Sequence, residues 1–204
     1  MTQNTARFLI AMDSFKGSAS SLEIGNYVRS GILKAFPQAS IELLGIADGG
    51  EGTVEALLTA LDGEYREQRV KGPRGKEVLA RYGYLGERTA VIEMAAASGL
   101  TLLQDDEKDP FLSSSYGTGQ LIRAALDAGV RRLYIGIGGS ATNDAGMGMA
   151  QALGIAFLDE GVNRLGDGPV EMNRLASIDF SKKDSRLDQT EIIVLTDVSN
   201  PLCG

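Results

Sequence analysis

Short apolar runs that stop on an aspartate recur three times along this 204-residue chain. Phe8–Met12 runs into Asp13, Ile41–Ala47 into Asp48, and Glu191–Thr196 into Asp197. Runs this short read as strands, and the first as a buried parallel strand. The first two lead into helices. Ser20 with Glu23 forms a capping box, after which Leu22, Val28, Ile32, Ala35 and Phe36 recur at helical spacing until Pro37 stops the helix. The polar loop Asp48–Thr53 leads to a second helix reaching about Leu61, ended by Asp62-Gly63. This alternation predicts an α/β fold, in which a ligand crevice lies beyond the carboxyl ends of the strands.

The pattern changes after residue 64. Glu64–Val70, Glu77–Tyr84 and Thr89–Met94 read as strands joined by turns, without helices between them. This meander predicts a partly antiparallel sheet in a second lobe, with residues 1–65 in the first lobe and 66–204 in the second. Gln104–Pro110 reads as a surface loop, and helical spacing returns at Leu121, Ile122, Ala125 and Leu126, with Gly129 as a left-handed cap. Next come a strand over Arg132–Ile137, a helix over about Asp144–Leu153 and a strand over Ile155–Leu158, and residues 159–190 read as mostly irregular.

Composition removes whole classes of chemistry. The chain has no histidine, which excludes Ser-His-Asp and Cys-His nucleophiles, histidine bases and imidazole-held zinc. Its single cysteine, Cys203, forms no internal disulfide, and this points to a reducing, cytoplasmic compartment. A net charge of −7 and a pI near 4.7 lack the basic footprint of a nucleic-acid or anionic-membrane binder. No run approaches the roughly 18 apolar residues of a membrane span, and no targeting segment stands out. Glycine is abundant, at 26 residues. The glycines gather in loops, where they allow close approach of a backbone to a ligand.

The remaining chemistry belongs to carboxylates, lysine, hydroxyls and backbone N–H groups. If their strands are neighbours, Asp13, Asp48 and Asp197 converge and suit Mg²⁺, or one of them takes a proton from a substrate hydroxyl. Each equally serves as a helix cap. Lys16, between Ser14 and Ser18, reads as a partner for an anion at a helix entrance or as a solvated surface residue. The strongest local signal is Gly136–Gly148, which comes after a strand and opens a helix with Gly138, Gly139, Ser140, Thr142, Asn143 and Asp144. Its amides and hydroxyls suit a phosphate or carboxylate. Gly146 and Gly148 lie inside the expected helix, weaken it by about 1 kcal/mol each, and imply a compensating close approach. The loop lacks the Gly-Lys-Ser/Thr of a Walker motif. Gly136-x-Gly138-x-x-Ala141 with Asp159 matches a relaxed dinucleotide fingerprint, the basis of an alternative NAD(P)-dependent oxidoreductase. Gly117-Thr118-Gly119 is a lesser anion-site candidate, and Met94–Gly99 reads as small-residue packing.

Six motifs, in order, resemble the type 1 bacterial glycerate kinase family over essentially the whole chain. They are Asp-Ser-Phe-Lys-Gly-Ser (13–18), Ala-Asp-Gly-Gly-Glu-Gly-Thr (47–53), Glu-Met-Ala-Ala-Ala-Ser-Gly-Leu (93–100), Tyr-Gly-Thr-Gly (116–119), Gly-Ile-Gly-Gly-Ser-Ala-Thr-Asn-Asp (136–144) and Thr-Asp-Val-Ser-Asn-Pro-Leu (196–202). The resemblance implies phosphorylation of glycerate by ATP and Mg²⁺. It also implies a flavodoxin-like parallel-sheet domain, a discontinuous second α/β domain and an active site between them. Family members are nearly twice as long, so an N-terminal portion without the C-terminal part of the fold is expected, and a non-catalytic fragment is the second alternative. The resemblance covers the motifs and not each residue's role; the physical reading of the side chains makes Asp197, Asp13 and Lys16 the catalytic candidates, and Asp48 and Asp144 the metal candidates. Ser14, Gly49, Gly50, Glu51, Gly138, Gly139, Ser140, Thr142 and Asn143 are the candidates for holding phosphate or substrate.

Overall fold

The computed structural model describes residues 6–15, 18–46 and 48–199. β1 (Arg7–Met12), α1 (Ser21–Ala35) and β2 (Ser40–Gly45) form a parallel β–α–β unit, with Met12 opposite Gly45. The predicted capping box is present. Ser20 Oγ accepts from the Glu23 N–H at 3.3 Å, and the Glu23 carboxylate accepts from the Ser20 N–H at 2.8 Å. The Ser21 hydroxyl donates to the Met12 carbonyl, which fixes the helix start to the end of β1. Phe36 caps the far end beside Pro37, its ring 5.5 Å from that of Phe8. α2 (Thr53–Leu61) is ended by the Asp62-Gly63 pair, Asp62 taking the left-handed conformation at φ 54°.

The meander appears where its turn chemistry predicts it. β3 (Glu64–Lys71), β4 (Glu77–Gly86) and β5 (Thr89–Glu93) are antiparallel neighbours. After α3 (Ala95–Ser98) and α4 (Tyr116–Asp127), β6 (Arg132–Gly136) joins β5 in parallel. Beyond α5 (Met147–Ala152), β7 (Ala156–Leu158) and β8 (Ser177–Asp179) make a separate antiparallel pair. β9 (Glu191–Leu195) then completes a mixed sheet of order β3-β4-β5-β6-β9. The stretch between β7 and β9 is otherwise turns and short 3₁₀ segments. Arg186 ties it to the end of α4, reaching Asp127 at 2.7 Å while holding Asp184.

Alternation along β5 serves two cores, as a period of two requires. Ile92 packs with Leu121, Ile122, Leu126 and Leu133 on the α4 face, whereas Val91 packs with Val54 and Leu58 of α2 on the other. Both strand residues are fully buried. α2 therefore lies between the five-stranded sheet and β2.

Two expectations need correction. β1 is parallel, but Ile10 alone of its residues is buried and Leu9 is 64% exposed, because α1 and α2 cover a single face of the β1–β2 pair. The helix expected from Asp144 begins at Met147, after Gly146 has turned left-handed at φ 75°. Gly148 does make the compensating close approach: a Cβ there would lie 2.7 Å from the Tyr116 nitrogen. Among the described residues no helix is long and apolar enough to cross a membrane.

Leu121 is fully buried at the centre of the larger core. Leu121→Ala should lower unfolding free energy by about 2–5 kcal/mol, read from denaturant melts.

Candidate active site at the meeting of the two sheets

The Asp48–Gly52 turn leaves β2 and crosses to the five-stranded sheet. The Gly138 N–H donates to the Gly49 carbonyl at 3.1 Å, and the Ile137 N–H to that of Leu195 at 3.4 Å. The backbones touch so closely that side chains are excluded. A Cβ on Gly49 would lie 2.5 Å from the Leu195 carbonyl oxygen, and one on Gly138 would lie 2.7 Å from the Gly50 Cα. The carboxyl ends of β2, β6 and β9 thus meet, and Asp197 stands two residues beyond Leu195. Inside the turn, the Asp48 carboxylate accepts from the Gly50 N–H at 2.8 Å. The Thr53 hydroxyl accepts from the Gly49 N–H at 3.2 Å and donates to the Gly50 carbonyl at 2.8 Å.

Beside this junction runs a cleft of about 560 Å³. Ser14 and Ser20 line one wall, Glu51 and Glu55 another, and Arg81 and Glu93 the floor formed by the sheet. Glu93, at the end of β5, accepts from the Val54 N–H at 2.8 Å. Burial pushes its carboxyl above the ordinary carboxylate range, against the opposing pull of the Val54 amide. In the sequence Glu93 stands only as the first residue of a motif, with no role attached to it. A partner 39 residues away leaves no local signature.

The Gly136–Asp144 loop is pinned on its inner side. Its residues bond the 98–100 segment through Ala141 N–H to Ser98 carbonyl at 2.9 Å and Leu100 N–H to Gly139 carbonyl at 2.9 Å. The Ser140 and Thr142 hydroxyls lie 2.7 Å apart. Among the described residues the Gly139 and Ser140 N–H groups meet no acceptor, and Asn143 is exposed. These groups retain the capacity to bind an anion.

Several predicted roles change. Gly49, Gly50 and Gly138 are expected to offer N–H groups to phosphate, but all three N–H groups are taken by the protein itself. Their lack of a side chain serves the contact between loops instead. Asp144 is not placed as a metal ligand: it is 1% exposed, and its Oδ2 accepts from the Ser115 N–H at 2.8 Å, the Ser115 hydroxyl at 2.7 Å and the Gly148 N–H at 3.1 Å. Its Oδ1 accepts from Gly146 N–H at 3.1 Å, so the carboxylate knots the starts of α4 and α5 together. Asp13 bonds the Ser14 N–H at 2.7 Å. Asp13 directly follows β1 as expected, but Asp48 stands three residues beyond β2 and Asp197 two beyond β9, because both strands stop earlier than the apolar runs do; no three carboxylates form a metal cage among the described residues. Mg²⁺ needs only one or two carboxylates and keeps waters and phosphate oxygens for the rest, so the oxygen donors present suit a water-rich ion rather than a closed cage. Lys16 lies outside the described residues.

The dinucleotide alternative fails on topology. It requires β7 to return parallel beside β6, whereas β7 pairs antiparallel with β8 in another sheet. Asp159 is also committed, to the Asn163 and Gly161 amides and to Arg174.

A model of the glycerate kinase family matches residues 8–204. A protein named glycerate kinase in Bacillus subtilis is 52% identical over 199 residues, covering 97% of this chain and 52% of the relative. The protein named glycerate 2-kinase in Escherichia coli is 47% identical, with 97% and 52% covered. A crystal structure described as a glycerate kinase 2 from Salmonella typhimurium LT2 superposes with a TM-score of 0.85 at 48% identity, covering 98% of this chain and 55% of that one. The chain thus spans about half the length of the curated relatives it matches.

Asp144→Asn should lower stability by about 1–3 kcal/mol, because an amide nitrogen would then face buried donors; an unchanged denaturation midpoint would refute the knotting role. Glu93 gives a pH signature. Its raised folded-state pKa means that its charged form costs stability as pH rises from the ordinary carboxylate range through the raised value. The stability of Glu93→Gln relative to wild type should therefore improve as pH rises through that window, as measured by melts at a series of pH values.

Proposed function

The chain belongs to the glycerate kinase family, and from that premise we propose that it carries the N-terminal half of an ATP-dependent kinase phosphorylating glycerate, with the 2-hydroxyl as acceptor. The observation that supports this most is the gathering, where two sheets meet, of carboxylates just beyond strands with the Gly139 and Ser140 amides, which meet no acceptor among the described residues. The choice of hydroxyl leans on the name of the Escherichia coli relative.

In this reading the Gly139 and Ser140 N–H groups, the Ser140 and Thr142 hydroxyls and the Asn143 amide hold phosphate oxygens. Preorganised donors of this kind stabilise charge as it moves between oxygens. Ser14 and Glu51, on the cleft wall, orient glycerate, and Lys16 meets its negative charge. Asp197 accepts the proton of the acceptor hydroxyl while that oxygen bonds to the γ-phosphorus and the bond from phosphorus to the ADP oxygen breaks. Asp48 and Asp13 would hold Mg²⁺, together with water and phosphate oxygens. When bound, the ion neutralises phosphate charge and aligns the transferring group. Histidine has no part in such a scheme, since phosphoryl transfer rests on positioning and charge stabilisation.

The test is turnover of glycerate with Mg-ATP, with the 204 residues assayed alone and joined to the remaining length that the relatives possess. Phosphorus NMR of the product should report 2-phosphoglycerate rather than the 3-isomer. In the active form Asp197→Asn should lose at least about 100-fold in kcat while remaining folded. Wild-type turnover in that variant, or no glycerate phosphorylation by the long form, refutes the proposal.

A further inference from the structure

We propose that Glu93 is a positioning residue of this site, a trans-acting cap that locks the Asp48–Thr53 turn to the five-stranded sheet. The inference rests on the kinase reading for its effect on turnover, but not for its structural content.

α2 lacks a cap of its own. The first N–H groups of a helix have no partner within it and ordinarily bond the side-chain oxygen of the residue that precedes it. Here that residue is Gly52, left-handed at φ 97° and without a side chain, and α2 has no local side-chain cap. Glu93 supplies the missing oxygen from 39 residues away, accepting from the Val54 N–H at 2.8 Å. Its own position is firm. It ends β5, which is paired on both sides, and stands opposite Gly136 in the register with β6. Val91 and Ile92 before it are 0% exposed.

From Val54 the bonding continues into the turn. Thr53 precedes Val54, and its hydroxyl holds both the Gly49 N–H and the Gly50 carbonyl. The Gly50 N–H in turn holds the Asp48 carboxylate. A continuous path therefore runs from the sheet through Glu93, Val54 and Thr53 to Asp48, with Glu51 inside the same turn. This accounts for a carboxylate kept half-buried and without a cation in salt-bridge range among the described residues. What Glu93 contributes is an acceptor oxygen at a fixed place, and glutamine keeps that oxygen.

Two variants and two readouts test this. In Glu93→Ala, amide hydrogen exchange at Gly49 and Val54 should speed up by at least about tenfold, while the Leu121–Leu126 amides of α4 exchange as in wild type. In the active form, kcat should fall by at least about tenfold, with KM for glycerate changed less than about threefold. Glu93→Gln should return both quantities to within about threefold of wild type. General loosening of the fold would instead accelerate exchange in α4 as well, and that result counts against the proposal. So does unchanged exchange at Gly49 and Val54 in Glu93→Ala, or Glu93→Gln as impaired as Glu93→Ala. If wild type has no turnover the kinase reading falls, and the exchange data alone decide the role of Glu93.

Discussion

Backbone-to-backbone contact between the Gly49–Gly50 peptide and the ends of β6 and β9 is the constraint on which the rest of this structure hangs. A two-stranded parallel unit has little stability of its own. β1 and β2 keep their orientation because α2 packs on the larger sheet and because the turn before α2 is bonded to Gly138. Glycine at positions 49 and 138 permits that approach, and any side chain would force the sheets apart. The contact also sets the chemistry, because it gathers loops from three strands at one end of the molecule.

Much of this is legible in the residues, wherever the signal is local. The capping box of α1, the three strands of the meander and the glycine after α4 rest on neighbours a few positions apart, and each appears where it is expected. Partnership over distance leaves no such trace. Asp144 looks like one of several loop carboxylates, yet Ser115, 29 residues earlier, consumes it. The glycines of both loops look like donors to a ligand, yet most of their amides face each other's carbonyls or nearby side chains. The dinucleotide fingerprint fits locally and fails because β7 turns to β8 rather than back to β6.

A chain without histidine arranges its site by dividing the labour. The charged side chains that line the described cleft are mainly acidic, Glu23, Glu51, Glu55 and Glu93 against Arg81. Anion-binding capacity lies instead in peptide N–H groups and hydroxyls at residues 139–143. Under the kinase reading, separating the two would keep carboxylates available for cations or protons while neutral dipoles hold phosphate, and neither would need a group that titrates near neutrality.

The outer edge of β9 has a practical bearing. Ile192 and Val194 are 43% and 53% exposed there, on a strand with no neighbour on its far side among the described residues. Unpaired peptide groups beside bare aliphatic side chains form an adhesive seam, ready to recruit any extended polypeptide that reaches it. Concentrated solutions of these 204 residues will therefore favour clumping over staying dispersed, and a chaperone or a covering segment would protect the same border.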